Sequence, residues 1–147
     1  MLSIRHFMQD DAEVLKKHFY PDMTAADIRK LISEWEACTH QGKYFEMFAV
    51  VSGGRVVGCA SVMERSKSVV SLGAEIINSE RQKGFACGAI EMLMEQVSNK
   101  GYRVILDQVR TDNIASIRLH EKLGFETDDY VYSNRREREV MLFLKLL

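Results

Sequence analysis

Proline is almost absent: the chain of 147 residues has one, Pro21. Proline fixes φ and removes an amide donor, so this single break separates the first helical pattern from the second. Cysteine is scarce too. Cys38, Cys59 and Cys87 are odd in number and widely spaced, which fits neither a disulfide framework nor a zinc site and makes cytosolic thiols the default. Charge of one sign is not in excess, with 20 Lys and Arg against 21 Asp and Glu and a net charge of −1. Nothing global therefore points to a nucleic-acid or membrane partner, and a polyanionic ligand needs a local positive site. No apolar run approaches the ~20 residues of a membrane-spanning helix. No n-region, h-region and cleavage site mark a secretory signal, so a cytoplasmic location is expected. Repeats, low-complexity tracts and linkers are lacking as well. Residues 1–147 read as one domain, and a 46% apolar share is ordinary for a globular protein with a sizeable core.

What is present is an alternation of strand and helix patterns. Leu2 to Phe7 alternates as a strand, and Asp10 or Asp11 opens a helix through Phe19. Thr24-Ala25-Ala26-Asp27 is a capping pattern, followed by Ile28, Leu31, Ile32 and Trp35 at i, i+3, i+4 and i+7. Phe45 to Val51 and Val56 to Met63 are strands around Ser52-Gly53-Gly54-Arg55, a hairpin turn by its glycines. Val69 to Ile77 is a third strand of this group, rich in Val and Ile. A helix follows with Ala86, Ile90, Leu93, Met94 and Val97 on one face, then a strand from Val104 to Val109. A helix from Asn113 to Leu123 is stopped by Gly124, and Val131 to Ser133 with Val140 to Leu146 close as a hairpin. The order β-α-α-β-β-β-α-β-α-β-β predicts a mixed α/β sheet with helices packed on it.

Two segments carry candidate chemistry. The first is Arg81-Gln82-Lys83-Gly84-Phe85-Ala86, between the Val69–Ile77 strand and the helix that follows. A strand-to-helix turn points consecutive backbone N–H groups outward without intrahelical partners, and the helix dipole adds positive potential. Together they suit a phosphate. Gly84 lets the backbone approach closely or take φ > 0, Ala86 keeps the wall low, and Arg81 and Lys83 add charge at the rim. No Gly-Lys-Ser/Thr follows, so this is not a Walker A loop. The glycines of a dinucleotide fingerprint are missing too. A pyrophosphate cradle and a plain solvated turn both remain open on this segment alone.

The second segment is the helix from Asn113. Asp112 and Asn113 are natural N-cap residues. Asn113, Ser116 and His120 stand at i, i+3 and i+7, so they share one face beside the apolar Ile114, Ile117 and Leu123. That row either lines a ligand groove or is a solvated helix side.

Arg-x-x-Gly-x-Ala opening a helix, then Asn-x-x-Ala/Ser-x-x-Leu-x-Glu-Lys-Leu-Gly-Phe some thirty residues later, resembles the GNAT superfamily of N-acetyltransferases. The resemblance spans Val56 to Phe125, with compatible flanks. It implies a single-domain α/β fold whose mixed central sheet is splayed in the middle, with helices on both faces and acetyl-coenzyme A wedged into the splay. Backbone groups from Gln82 to Cys87, Phe85 and Ala86 included, would hold the pyrophosphate. Ala74 to Ile77, Ile76 among them, would pair with the pantetheine arm like an added strand, with an N–H near Ile77 facing the thioester carbonyl. Asn113 and Ser116 would line the pantetheine or adenosine side. The family usually has tyrosine as the acid that protonates the departing thiolate, and this chain has His120 there.

An amine acceptor is mostly protonated at neutral pH, with a lysine-like pKa of about 10.4, so a carboxylate must take its proton directly or through water. Glu75 fits by position, its facing undecided by alternation, and Glu80 is the nearest substitute. Tyr130 or Tyr132 could replace His120 as acid. Trp35 reads as core, although it and Phe19 remain candidates for an acceptor wall. Arg135, Arg136 and Arg138 read as a solvated turn that could steer an acidic acceptor. The acceptor would be the amine of a small molecule, peptide or protein, with no metal involved, and a homodimer is left open. A non-catalytic acyl-coenzyme A sensor is the alternative, kept alive by the missing tyrosine.

Overall fold

The computed structural model describes all 147 residues. Its sheet has eight strands: β1 (Leu2–Arg5), β2 (Thr39–His40), β3 (Lys43–Ser52), β4 (Arg55–Ser66), β5 (Val69–Ile76), β6 (Val104–Arg110), β7 (Tyr132–Ser133) and β8 (Glu139–Leu146). The helices are α1 (Ala12–His18), α2 (Ala25–Trp35), α3 (Phe85–Asn99) and α4 (Ile114–Lys122), with short 3-10 turns at Gln9–Asp11 and Asn78–Glu80. The spatial order is β1-β3-β4-β5-β6-β8-β7, with β2 added on β3. No helix is long and apolar enough to cross a membrane.

Local signals explain most of this. The turn between β3 and β4 puts Gly53 at φ 58° and Gly54 at φ 75°, and Ser52 pairs with Arg55. Two consecutive positive φ values define the primed turn that matches strand twist, and glycine reaches them without strain. Thr24 Oγ1 accepts the Asp27 N–H at 3.1 Å, capping α2 as its sequence predicts. Burial of Ile28 and Ile32 against Leu15, Phe7 and Ala49 seats α1 and α2 on one sheet face, at roughly 1.5–3 kcal/mol per large side chain. Ala89, Ile90, Leu93 and Val97 of α3 bury on the opposite face against Phe48, Val50, Val62 and Leu72, and Leu119 and Leu123 of α4 pack on the same cluster.

Several boundaries shift by a residue or two, and three differences from expectation have a clear structural form. β1 stops at Arg5, because Phe7 turns into the α1–α2 cluster and Asp11 folds back to accept the Met8 N–H at 2.7 Å and an Arg5 Nη1–H at 2.7 Å. β4 runs three residues past Met63, through a bulge between Glu64 and Ser66. The two-residue β2 pairs with Tyr44 and Lys43 and is an additional strand.

The feature that matters for function is the junction of β5 and β6. All other neighbours are antiparallel, whereas these two are parallel and pair only at Val69–Val104 and Val70–Ile105. Beyond that point the strands part. Side chains bridge the opening: Ser71 Oγ donates to Leu106 O at 2.5 Å, and Asp107 Oδ1 accepts the Leu72 N–H at 2.9 Å.

Candidate active site

The register between β4 and β5 decides which β5 amides reach the opening. Gly58 pairs with Ile76, and the Ile77 N–H donates to Val57 O at 2.9 Å. In an antiparallel ladder the donors alternate, so odd-numbered β5 residues bond to β4 and even-numbered ones point the other way. Leu72 confirms the phase, since its N–H reaches Asp107 on β6. The N–H groups of Ala74 and Ile76 therefore face the gap, where the β6 ladder has already ended. The Ile77 N–H does not: it is committed to Val57, which moves the free donor expected near Ile77 one residue earlier.

At the end of β5 the chain turns through Asn78–Glu80 into a backbone arranged for close approach. Gln82 has φ 63° and Gly84 has φ 80°. Nothing lies within 4 Å of where a Gly84 Cβ would sit. No side chain caps α3. Its first bond to Gly84 O comes from Gly88 N at 3.0 Å, which leaves Phe85, Ala86 and Cys87 with first-turn N–H groups lacking intrahelical acceptors. This open, positively polarised turn fits a pyrophosphate. The rim charges are more constrained than the sequence suggested. Arg81 Nε donates to Ile76 O at 3.1 Å, and Lys83 Nζ pairs with Glu80 Oε2 at 2.9 Å. Arg55 Nη1 takes Glu80 Oε1 at 2.8 Å. Lys83, then Arg55, hold the buried Glu80 carboxyl below the ordinary carboxylate range. With both oxygens engaged, Glu80 is poorly suited to accept a proton.

Between β5 and β6 a cleft of about 900 Å³ passes from one sheet face to the other. Ala74, Ile90, Ser116, Leu119 and His120 line it on the α3–α4 side, and Met63, Arg65, Ser71, Gly73 and Gln108 on the α1–α2 side. Glu75 is exposed on the latter face, opposite Cys59 in register, and lies outside the cleft lining. Its charge reaches two neighbours. Burial, then Glu75, pushes the Cys59 thiol up to about 12, and burial with Cys59 and Glu75 raises the Tyr20 phenol.

His120 is buried, 8% exposed, and both ring nitrogens are engaged. Nδ1 lies 2.8 Å from Ser116 O, and Nε2 lies 2.9 Å from Asp107 Oδ2. Ser116 Oγ lies 3.4 Å from the same Nδ1. A carbonyl and an ionised carboxylate only accept, so this pair of partners favours the protonated ring with both N–H groups engaged. Burial lowers its pKa, but the hydrogen bonds to Asp107 and Ser116 outweigh that and leave it raised. Phe125 and Phe143 wall the ring at 4.7 and 5.2 Å between centroids. Asn113 is the α4 N-cap, its Oδ1 accepting the Ser116 N–H at 3.1 Å, and it does not line the cleft. Tyr130 and Tyr132 are exposed and also outside it, and Tyr132 donates to Asp128 at 2.5 Å. Trp35 packs on Phe7 at 5.4 Å, as a core residue does. Asp107 was absent from the sequence reading. The signal was there: an aspartate amid Val104, Ile105, Leu106 and Val109 is out of place in a strand unless it has a partner.

One group could hold a metal ion. His6, Cys38 and Glu46 place ligand atoms within 4.8 Å of one another, a grouping that cysteine spacing alone gave no sign of. His6 Nε2 and Glu46 Oε2 are 2.7 Å apart, and none of the three lines the cleft.

A family model described as an acetyltransferase (GNAT) domain matches residues 2–126. L-methionine sulfoximine/L-methionine sulfone acetyltransferases of Pseudomonas paraeruginosa and Pseudomonas aeruginosa are 29% and 28% identical over 108 residues, covering 70% of this chain. The chain matches 62% of their length, less than two thirds. Among solved structures, RimL, a ribosomal L7/L12 alpha-N-protein acetyltransferase in complex with coenzyme A, superposes with a TM-score of 0.84 at 15% identity, covering 99% of this chain and 94% of RimL. A ribosomal-protein-alanine N-acetyltransferase from Brucella melitensis gives 0.78 at 20% identity, covering 99% of both chains. The yncA protein from Salmonella typhimurium, solved with its cofactor acetyl-coenzyme A, gives 0.74 at 16% identity, covering 100% of this chain and 94% of yncA. At such identities the shared property is the fold, a splayed mixed sheet with helices on both faces. With the family model matched over most of its length, the chain belongs to the GNAT acetyltransferase family.

Proposed function

We propose that this domain transfers an acetyl group from acetyl-coenzyme A to a primary amine by direct attack in a ternary complex. The observation that carries the reading is the parting of β5 and β6, which opens a cleft beside Ala74 and leaves the Ala74 and Ile76 N–H groups on the unpaired edge of β5, the strand whose end turns into the uncapped N-terminus of α3. In this reading the Gln82–Cys87 backbone holds the pyrophosphate, with Arg81 and Lys83 at its rim. Ala74 and Ile76 donate to the pantetheine arm, and Ser116 lines it. Asn113 shapes that wall by capping α4.

The bound thioester supplies an activated acetyl group whose carbon takes the amine lone pair while its sulfur leaves as thiolate. Glu75 takes the amine proton from the α1–α2 face, directly or through one water. Orienting amine and cofactor together contributes up to ~7–11 kcal/mol. A backbone donor at the developing oxyanion adds roughly 2.7–4 kcal/mol. His120 acts here as a positioning residue, since both of its N–H groups are spent on Asp107 and Ser116. A leaving thiol with a pKa near 8.5 needs little help, so water in the cleft suffices as proton source.

The burial of His120 also favours a second reading, a non-catalytic acyl-coenzyme A-binding domain that has lost its acid. Incubation with acetyl-coenzyme A and a broad amine panel, reading thiol release, separates the two. Release above the hydrolytic background supports transfer. Tight binding without release for every amine supports the sensor.

A further inference from the structure

The chain is almost neutral overall, at −1, but its cleft is not. The ionisable side chains lining the cleft are Arg65, Asp107, His120, Arg135 and Arg136. Asp107 and His120 neutralise each other, which leaves three arginines. None of the three has a carboxylate partner within salt-bridge distance, whereas Arg5, Arg55, Lys83 and Arg110 each have one.

Their placement is specific. Arg65 Nε donates to Ser71 Oγ at 2.7 Å, and Ser71 Oγ donates to Leu106 O at 2.5 Å. This chain of bonds ties the guanidinium to both lips of the opening, and its terminal amino groups have no protein acceptor. Ser71 is on the β5 face that carries Gly73 and Glu75, the α1–α2 side. Arg135 and Arg136 approach from the turn between β7 and β8. Asn134 Oδ1 accepts the N–H groups of Arg136 at 2.9 Å and Arg138 at 3.0 Å, which fixes the path of that turn. The cofactor cradle at α3 is reached from the opposite side of the sheet. In the acetyl-transfer reading Arg65 therefore stands on the face left open to an acceptor, and Arg135 and Arg136 line the same cleft.

We propose that the acceptor is a primary amine that also carries a carboxylate, held by the Arg65 fork with Arg135 and Arg136 at the mouth. This rests on the acetyl-transfer reading. Arginine binds carboxylate through two parallel N–H···O bonds, and a guanidinium already oriented by one bond loses less freedom in making them. Two parallel bonds of fixed geometry also discriminate a carboxylate from a neutral carboxamide, which cannot accept at both positions. A free amino acid and a peptide with an acidic N-terminal sequence both present this chemistry.

The test compares matched acceptors: free amino acids against their carboxamides, and peptides with Asp or Glu after the N-terminus against Asn or Gln counterparts. The expected result is at least a tenfold higher kcat/KM for the charged member of one set, and the set that responds identifies the source. Arg65→Gln and the double variant Arg135→Gln/Arg136→Gln are expected to lower that kcat/KM about 10- to 100-fold, a larger loss than the same variants show with neutral amines or in KM for acetyl-coenzyme A. Arg65→Lys should recover part of the loss. Equal use of charged and neutral acceptors, or variants that raise KM for acetyl-coenzyme A instead, would overturn the proposal. If acetyl-coenzyme A binds but no amine releases thiol, the transfer reading fails. Calorimetry with coenzyme A and the same peptide pairs then decides the charge assignment: preferential binding of the acidic member supports it, and equal binding removes it.

Discussion

The Leu72 N–H donates to Asp107 Oδ1 at 2.9 Å across the point where β5 and β6 part. A carboxylate here replaces the carbonyl that a continuing β6 would supply, so the ladder ends without an orphaned amide. The second oxygen, Oδ2, is held by His120 from α4. One side chain thus satisfies the first gap-facing β5 amide beyond the β5–β6 pairing and clamps the helix that walls the cleft. The width of the opening is tied to the Asp107–His120 pair.

Removing that pair should therefore act on structure before chemistry. Asp107→Ala leaves a buried imidazolium and an unpaired Leu72 amide, and breaking a buried pair on one side costs about 3–5 kcal/mol. Urea unfolding measures this directly. His120→Asn keeps a donor toward Asp107 without the charge. It should weaken acetyl-coenzyme A binding and lower stability more than it lowers kcat at saturating substrates. A fall in kcat of about 10–10³-fold at wild-type stability and cofactor KM, partly restored in His120→Tyr, would instead make His120 the general acid.

The same pair sets a pH dependence. The folded pKa of His120 is raised above its ordinary value near 6.5. Its contribution to stability is therefore complete below about pH 6.5 and is lost as pH rises through the folded pKa. Glu80 works in the opposite sense. Its carboxyl is lowered by Lys83 and Arg55, so its contribution is present above the ordinary carboxylate range near 4.3 and is lost as pH falls through the folded value. Melting temperature across pH 4–9 should flatten on the alkaline side in His120→Asn and on the acid side in Glu80→Gln, each variant leaving the other limb intact.

The elements were legible in the sequence because their periodicities were clean. Ile28 and Ile32, Leu93 and Val97, and the glycine pair at the β3–β4 turn each specify local structure without long-range help. The cradle was legible for a related reason, since an αL glycine before a helix is a local demand. The phase of the β5 donors was not. Whether Ile76 or Ile77 faces the gap depends on the β4 register, which no residue in β5 encodes. Alternation likewise left Glu75 with two faces, and the seating of α1 and α2 on the Ala49 and Cys59 side chose between them. Arg65 was hidden most deeply. Its bond to Ser71 requires the bulge at Glu64–Ser66, a tertiary adjustment with no strong composition signal.

Acetyl-coenzyme A should stabilise the folded chain by mass action, by roughly 2.7 kcal/mol at a hundredfold excess over Kd, with ATP giving much less. Gly84→Val separates binding from folding. No atom lies within 4 Å of the new Cβ, so the folding loss is confined to the φ 80° backbone, at about 1–2 kcal/mol. The side chain would nevertheless stand where the pyrophosphate must approach. A variant that still folds but no longer shifts its melting temperature with acetyl-coenzyme A is the expected result. A wild-type shift would return the segment to a plain solvated turn.

Glu75 is the remaining assignment, and its surroundings offer a readout apart from turnover. Its charge contributes, after burial, to pushing the Cys59 thiol up to about 12. Glu75→Gln should therefore let Cys59 ionise at lower pH, seen as faster alkylation at a given alkaline pH in a Cys38→Ser/Cys87→Ser background. That measurement reports whether the carboxylate faces Cys59 as described. The catalytic claim is separate. If Glu75 accepts the amine proton, Glu75→Gln lowers kcat by ~10²–10⁴-fold with KM for acetyl-coenzyme A unchanged, because a general base acts in the transition state and not on the cofactor. The deficit should shrink as pH rises and more of the amine arrives already deprotonated. A variant with normal kcat, whose Cys59 nevertheless shows the altered alkylation profile, would keep the placement and remove the role. The base would then have to be sought among waters on the α1–α2 face, because Glu80 has both oxygens bound by Arg55 and Lys83.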